Sequence, residues 1–276
     1  MRQCGGVNST ESTASTIRPL PRLMVAPNGA RLQPADHEAL PISIEGTVAT
    51  ALACQTAGAT GLHAHVRDDT GGHSLDPARY RRLLAALEQA ECDLFVQITT
   101  EAVGSYRPDE QRAVAESLAP TAISVALREM TADPDQDAIG QFYRDMHTRG
   151  TSLQHILYSP DEVRELATLI GTGTIPADDL QCLFVLGGHG SNDHATPALL
   201  DGFLEARNEA LGSLALDWAV CAFGIEETAC LLAAHEAGGK LRVGFENNRL
   251  HADGRRARDN AERVTEVVDR LRHVAA

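Results

Sequence analysis

Residues 61–69 read GLHAHVRDD, an apolar β-type run interrupted by two histidines and closed by charge. Successive strand side chains point to opposite faces, so His63 and His65 share one face, with Arg67 next in line. Runs of the same kind recur after residue 20, at 22–26, 61–66, 93–98, 121–127, 153–158, 181–187, 214–221 and 241–246. Amphipathic helical patterns fill the gaps, at 44–57, 76–90, 108–119, 135–149, 160–171, 196–211, 226–238 and 256–273. Asp76-Pro77 and Ser159-Pro160 are helix-start signals, because proline is tolerated in a first turn. Eight strands, each followed by a helix, within 276 residues are the count of a (β/α)8 TIM barrel. A doubly wound open sheet would usually carry fewer strands and a glycine-rich first turn. The first turn here, APNGARLQPADHEALP, lacks GxGxxG, and no phosphate-loop motif occurs. One barrel domain over residues 21–276 is expected, after a flexible Ser/Thr-rich arm at 1–20.

Composition narrows the function classes. A formal charge of −14 makes nucleic acid or an anionic membrane a poor partner. The six cysteines are scattered without a CxxC pair, which reads as reduced core cysteine. The opening residues hold no apolar signal core, and no apolar run approaches the roughly 18 residues of a membrane span. A cytoplasmic location is expected.

A TIM barrel carries its chemistry at the C-terminal ends of its strands. Those ends hold Asn28, His63 and His65, Thr99 and Thr100, Arg128 and Glu129, His189, and Glu246 with Asn247 and Asn248. A lone HxH pair serves a structural core as readily as a metal. Arg67 at the same strand end makes burial without partners costly. Glu246 ends strand eight, which in a closed barrel lies two strands from His63. Two imidazoles and one carboxylate with an open position form the ligand set of a catalytic Zn²⁺, although Fe²⁺ or Mn²⁺ takes similar ligands. In KLRVGFENN, Arg242, Gly244 and Glu246 share a face by strand parity, with Gly244 leaving room between the charges. Arg242 then either pairs with Glu246 or presents a fixed cation to a substrate. His189 and His194 read as loop residues before a helix capped at Thr196-Pro197, and only one of Gln154 and His155 can face the interior.

The chain has a single lysine, Lys240, at the start of strand eight and so at the wrong end for a Schiff base. It also lacks the strand-four lysine of binuclear amidohydrolases. A mononuclear hydrolase or lyase working without CoA stays open, as does a non-catalytic metal- or carboxylate-binding protein.

Four blocks carry a resemblance: NGARLQPADHEALPISIEG, AGATGLHAHVRDDTGGHSLDPARYRRLL, HILYSPDEV with FVLG, and GGKLRVGFENNRLHADGRRARDNAERV. From about residue 22 to 272 the chain resembles the beta-keto acid cleavage enzymes, the family that includes 3-keto-5-aminohexanoate cleavage enzyme. The resemblance implies a Zn²⁺-dependent barrel, a homo-oligomer (dimer or tetramer), that cleaves a β-keto acid with acetyl-CoA to acetoacetate and a new CoA thioester. It implies metal binding by His63, His65 and Glu246, and catalytic positions at Arg242 and Asn247. Substrate contacts are expected from Asn28, Arg31, Thr99, Thr100 and Arg128. The chain departs from the family pattern at several points. Asn247 stands for an aspartate, Arg31 and Gln154 for acidic residues, and Thr100-Glu101-Ala102 for Thr-Gly-Gly. These exchanges favour a neutral or anionic substrate over an amino-bearing one.

Overall fold

The computed structural model describes residues 17–188 and 194–274. Eight parallel strands close a barrel in sequence order: β1 (Leu23–Val25), β2 (Gly61–Ala64), β3 (Phe95–Thr99), β4 (Ala122–Ala126), β5 (Ser152–Leu157), β6 (Leu180–Leu186), β7 (Leu216–Ala222) and β8 (Lys240–Val243). Eight helices surround it: α1 (Ile44–Ala57), α2 (Pro77–Gln89), α3 (Pro108–Leu118), α4 (Gln136–Thr148), α5 (Pro160–Gly171), α6 (Leu199–Ala210), α7 (Glu227–Glu236) and α8 (Asn260–Val274). A two-residue hairpin, Val66–Arg67 with His73–Ser74, and a single turn of helix at Leu127–Met130 were not foreseen. Each follows a strand directly and is too short for hydrophobic periodicity to register.

Local chemistry explains the helix starts. The side chains of Ser43, Asp76 and Ser159 accept from backbone N–H groups of the first turns of α1, α2 and α5. The expected cap at Thr196-Pro197 is absent. Helix α6 begins at Leu199 after Ala198, with no side-chain cap.

The apolar strand faces that point outward pack beneath the helices in one large cluster. At the N-terminal end of the barrel the Arg18 carbonyl accepts from Ser152 and Gln181, and Leu20 joins an apolar cluster that includes Leu183 and Ala219. Residues 1–16 of the expected arm lie outside the described residues. Lys240 sits at this same end, paired with Asp217 at 2.6 Å, so the lone ammonium is spent on structure. The described cysteines are all free thiols.

Candidate metal centre

At the opposite end, β2 delivers His63 and the link after it His65, both buried. Strand β8 stops at Val243, earlier than strand parity implied, because Gly244 leaves the ladder at φ +145°. A Cβ there would lie 2.4 Å from the Ala26 carbonyl oxygen, so Gly244 serves the contact with β1 rather than spacing Arg242 from Glu246. The turn that follows places Glu246, whose backbone N–H donates to the Ala26 oxygen at 3.1 Å.

The three ligand candidates converge. His63 Nε2 and His65 Nε2 are 3.1 Å apart, and Glu246 Oε2 lies 3.7 Å from the first and 3.4 Å from the second. Four-coordinate bonds of about 2.0–2.1 Å imply ligand separations of roughly 3.3 Å, which these distances bracket. His63, His65 and Glu246 are the group with metal-ligand spacing among the described residues.

Protonation favours the same reading. The Gln97 carbonyl oxygen faces His63 Nδ1 at 2.9 Å and can only accept, so Nδ1 donates and Nε2 keeps its lone pair. Gln97 is held in turn, donating to Gln154 at 3.1 Å, which donates to the Cys182 carbonyl. Burial and the neighbouring Arg242 push the His63 imidazole down to about 3, so the ring is neutral. Burial opposes ionisation of Glu246, yet Arg242 and the two histidines hold its carboxyl well below the usual range. Its Oε2 has no hydrogen-bond partner among the described residues. An ionised oxygen and a bare imidazole nitrogen facing each other are the donor set of a divalent cation.

Arg242 meets the first reading of its role, the pair with Glu246. One nitrogen holds Glu246 Oε1 at 2.8 Å, while Nε and Nη1 are buried without partners among the described residues. Together with His63 and Glu246 it lines a chamber of about 710 Å³. Arg31 and Arg128 stand in the same wall, Arg128 over the Tyr158 ring and 2.5 Å from Glu162. The wall also carries Glu101 and Glu129, acidic groups that a count of lost family carboxylates overlooks. Glu129 is held by the Ala102 N–H and by Gln111. Among the described residues the Glu101 carboxylate has only longer contacts, 3.8 Å to Arg31 and 3.9 Å to His65.

Other expected residues stand elsewhere. Thr99 and Thr100 are buried outside the chamber wall, their hydroxyls engaged by the Glu101 N–H and the Ser124 carbonyl. The Asn28 amide donates to the Pro41 and His65 carbonyls and so braces the ligand loop. Arg67 donates to the Asn28, Gly29 and Gly71 carbonyls, locking the β1 loop rather than extending the histidine face. Asn247 lines an adjoining chamber. Gln154 faces inward and His155 packs against Tyr143. His194 lines the chamber, and His189 lies outside the described residues.

A family model for beta-keto acid cleavage enzymes matches residues 22–276. The chain belongs to the beta-keto acid cleavage enzyme family. It is 28% identical over 249 residues to the 3-keto-5-aminohexanoate cleavage enzyme of Acetoanaerobium sticklandii, covering 87% of each chain. Over 76 residues it is 37% identical to the 3,5-dioxohexanoate:acetyl-CoA acetone transferase of Paraburkholderia graminis, covering 27% of this chain and 24% of that one. In architecture it is similar to ObcA in complex with oxaloacetate, with a TM-score of 0.61 at 16% identity. That match covers 86% of this chain and 64% of ObcA, and it bears on the fold alone. Like its family, the chain is an enzyme of the acyl-transfer type. No helix among the described residues is long and apolar enough to cross a membrane.

Proposed function

We propose that the protein cleaves a β-keto acid with acetyl-CoA, releasing acetoacetate and the CoA thioester of the remaining acyl group. The observation that carries this reading is the convergence of buried His63 and His65 with half-buried Glu246, beside N–H groups of Arg242 that have no partner among the described residues. Zn²⁺ is the ion proposed there. When bound, it supplies Lewis-acid polarisation of a carbonyl oxygen. The chain does the rest. Arg242 keeps Glu246 oriented through one nitrogen and offers its other N–H groups to the substrate carboxylate. Glu101 stands at the chamber wall, its carboxylate making only the longer contacts to Arg31 and His65 among the described residues, suited to take the proton from the carbon between ketone and carboxylate.

The chemistry balances without a further reactant. The deprotonated carbon attacks the acetyl thioester and expels CoA thiolate. The thiolate attacks the ketone, the original carbon–carbon bond breaks, and the departing acetoacetate carbanion recovers the proton. No lysine is needed. Arg31 and Arg128 at the wall support a neutral or anionic acyl group.

The test joins metal analysis of the purified protein to a CoA-dependent assay over cationic, neutral and anionic β-keto acids. Bound metal and acyl-CoA release from neutral or anionic acids are expected, and His63→Ala should abolish both. Turnover restricted to cationic acids overturns the substrate reading. Full activity and unchanged metal in His63→Ala overturns the site.

A further inference from the structure

The metal chamber is not the only space that Glu246 borders. Gly188, His194, Phe223 and Glu246 also line a second chamber of about 540 Å³, walled by the loops after β1, β6, β7 and β8. Its position at the same end of the barrel makes it a side room of the metal site.

Three kinds of group line it. Asn247 is about nine-tenths buried, and neither its amide nitrogen nor its oxygen has a partner among the described residues. Buried amides are rarely left unpaired on both sides, and a ligand offering both a donor and an acceptor would satisfy this one. Leu32, Phe245 and Leu250 give apolar wall. Toward solvent stand Arg249 and Arg256, both donating to the backbone oxygen of Asp36, at 3.2 and 2.8 Å, with the Asp36 carboxylate on the same wall 3.8 Å from Arg249. Sharing one oxygen brings the two guanidiniums together, with further N–H groups left over. Neighbouring guanidiniums suit a phosphate, whose oxygens take paired N–H donors.

An amide next to a metal ligand, an apolar wall and a pair of cations at the solvent side describe a particular molecule. A pantetheine arm carries secondary amides, each with one N–H and one C=O, and in a CoA thioester its far end carries phosphates. We propose that this second chamber binds the CoA co-substrate, with Asn247 paired to a pantetheine amide and Arg249 and Arg256 holding phosphate. The assignment rests on the acetyl-CoA-dependent reading of the metal site. It gives Asn247 a binding task, in keeping with an amide that cannot act as a base at neutral pH.

The experiment compares two thioesters on the metal-loaded enzyme: acetyl-CoA, and acetyl-pantetheine, which lacks phosphate. In the variant Arg249→Ala/Arg256→Ala, the KM for acetyl-CoA should rise about tenfold or more, and that for acetyl-pantetheine less than about twofold. Lysines at both positions keep the charge and should recover part of the loss. Asn247→Leu should raise KM for both thioesters and leave that for the β-keto acid unmoved. Equal changes for the two thioesters in the arginine variant, or no change for either, overturn the assignment while thioester-dependent turnover of the native enzyme stands. Turnover of the native enzyme with no thioester, and no binding of CoA in a direct titration, removes the proposed function and the chamber assignment together.

Discussion

Gly244→Ala is the substitution that tests most sharply how the barrel holds its ligands. A Cβ at this position would lie 2.4 Å from the Ala26 carbonyl oxygen, 2.9 Å from its carbon and 3.1 Å from its nitrogen. These are backbone atoms of β1's end, so no side chain can swing aside. Relief needs a shift of roughly 0.6–1 Å between β1 and β8. Two hydrogen bonds cross that contact, Ala26 N–H to the Val243 oxygen at 2.8 Å and Glu246 N–H to the Ala26 oxygen at 3.1 Å. Overpacking costs about 1–3 kcal/mol, the glycine-only backbone region about 1–3 kcal/mol, and a weakened hydrogen bond about 0.5–1.5 kcal/mol. The stiffer unfolded chain returns about 0.4–1 kcal/mol. A net loss of about 3–6 kcal/mol is expected, together with displacement of Glu246 and loss of metal. Urea denaturation followed by fluorescence of the single tryptophan, the buried Trp218, reads the first effect. Metal content of the folded fraction reads the second. Gly173→Ala is the control, having φ +76° but no atom within 4 Å of the added Cβ, and should cost only about 1–2 kcal/mol. A Gly244→Ala loss below about 1 kcal/mol with full metal content would refute the argument.

Gln97→Leu removes the partner of His63 Nδ1 and should weaken metal binding about 10- to 100-fold, measured by competition with a chelator. Arg263→Met strands the Glu227 carboxylate, which is fully buried and accepts from Gly244 N–H and Asn248; a loss of about 3–5 kcal/mol in urea is expected. Glu262 accepts from the Arg258 backbone N–H, and with help from His251 and the Arg258 side chain its carboxyl is held down to about 2. A folded value below the unfolded one gives stability that is present above about pH 4.5 and lost as pH falls toward 2. Glu262→Gln should therefore cost about 1–2 kcal/mol at pH 7 after allowance for solvent screening, and should flatten the acid limb of a stability–pH curve.

Periodicity is a local property, and what depends on it was legible in the sequence. The eight strands and eight helices fall where hydrophobic alternation and caps such as Asp76-Pro77 put them. The meeting of the HxH pair with Glu246 was also legible, because barrel closure brings the ends of strands two and eight close together. Strand parity alone puts Glu246 on the strand, whereas β8 ends three residues earlier and a turn carries the carboxylate. Polar character alone did not reveal whether a side chain faces the chamber. Thr99, Thr100 and Arg67 all look like site residues, yet their side chains hydrogen-bond to the protein's own backbone, as does the amide nitrogen of Asn28.

Residue order and periodicity were enough for the eight-stranded barrel, for the end of it where polar residues gather, and for the single lysine at the other end. The tertiary structure decided what those residues are held by and what they face. Gln97 reaches His63 because the register of β2 and β3 sets them side by side. Glu101 lies in the chamber because β3 ends beneath it, and Asn247 points into a second room because Gly244 turns the chain out of β8. Each depends on the register and twist of neighbouring strands, contacts between residues far apart in the chain, to which a strand's own periodicity is blind.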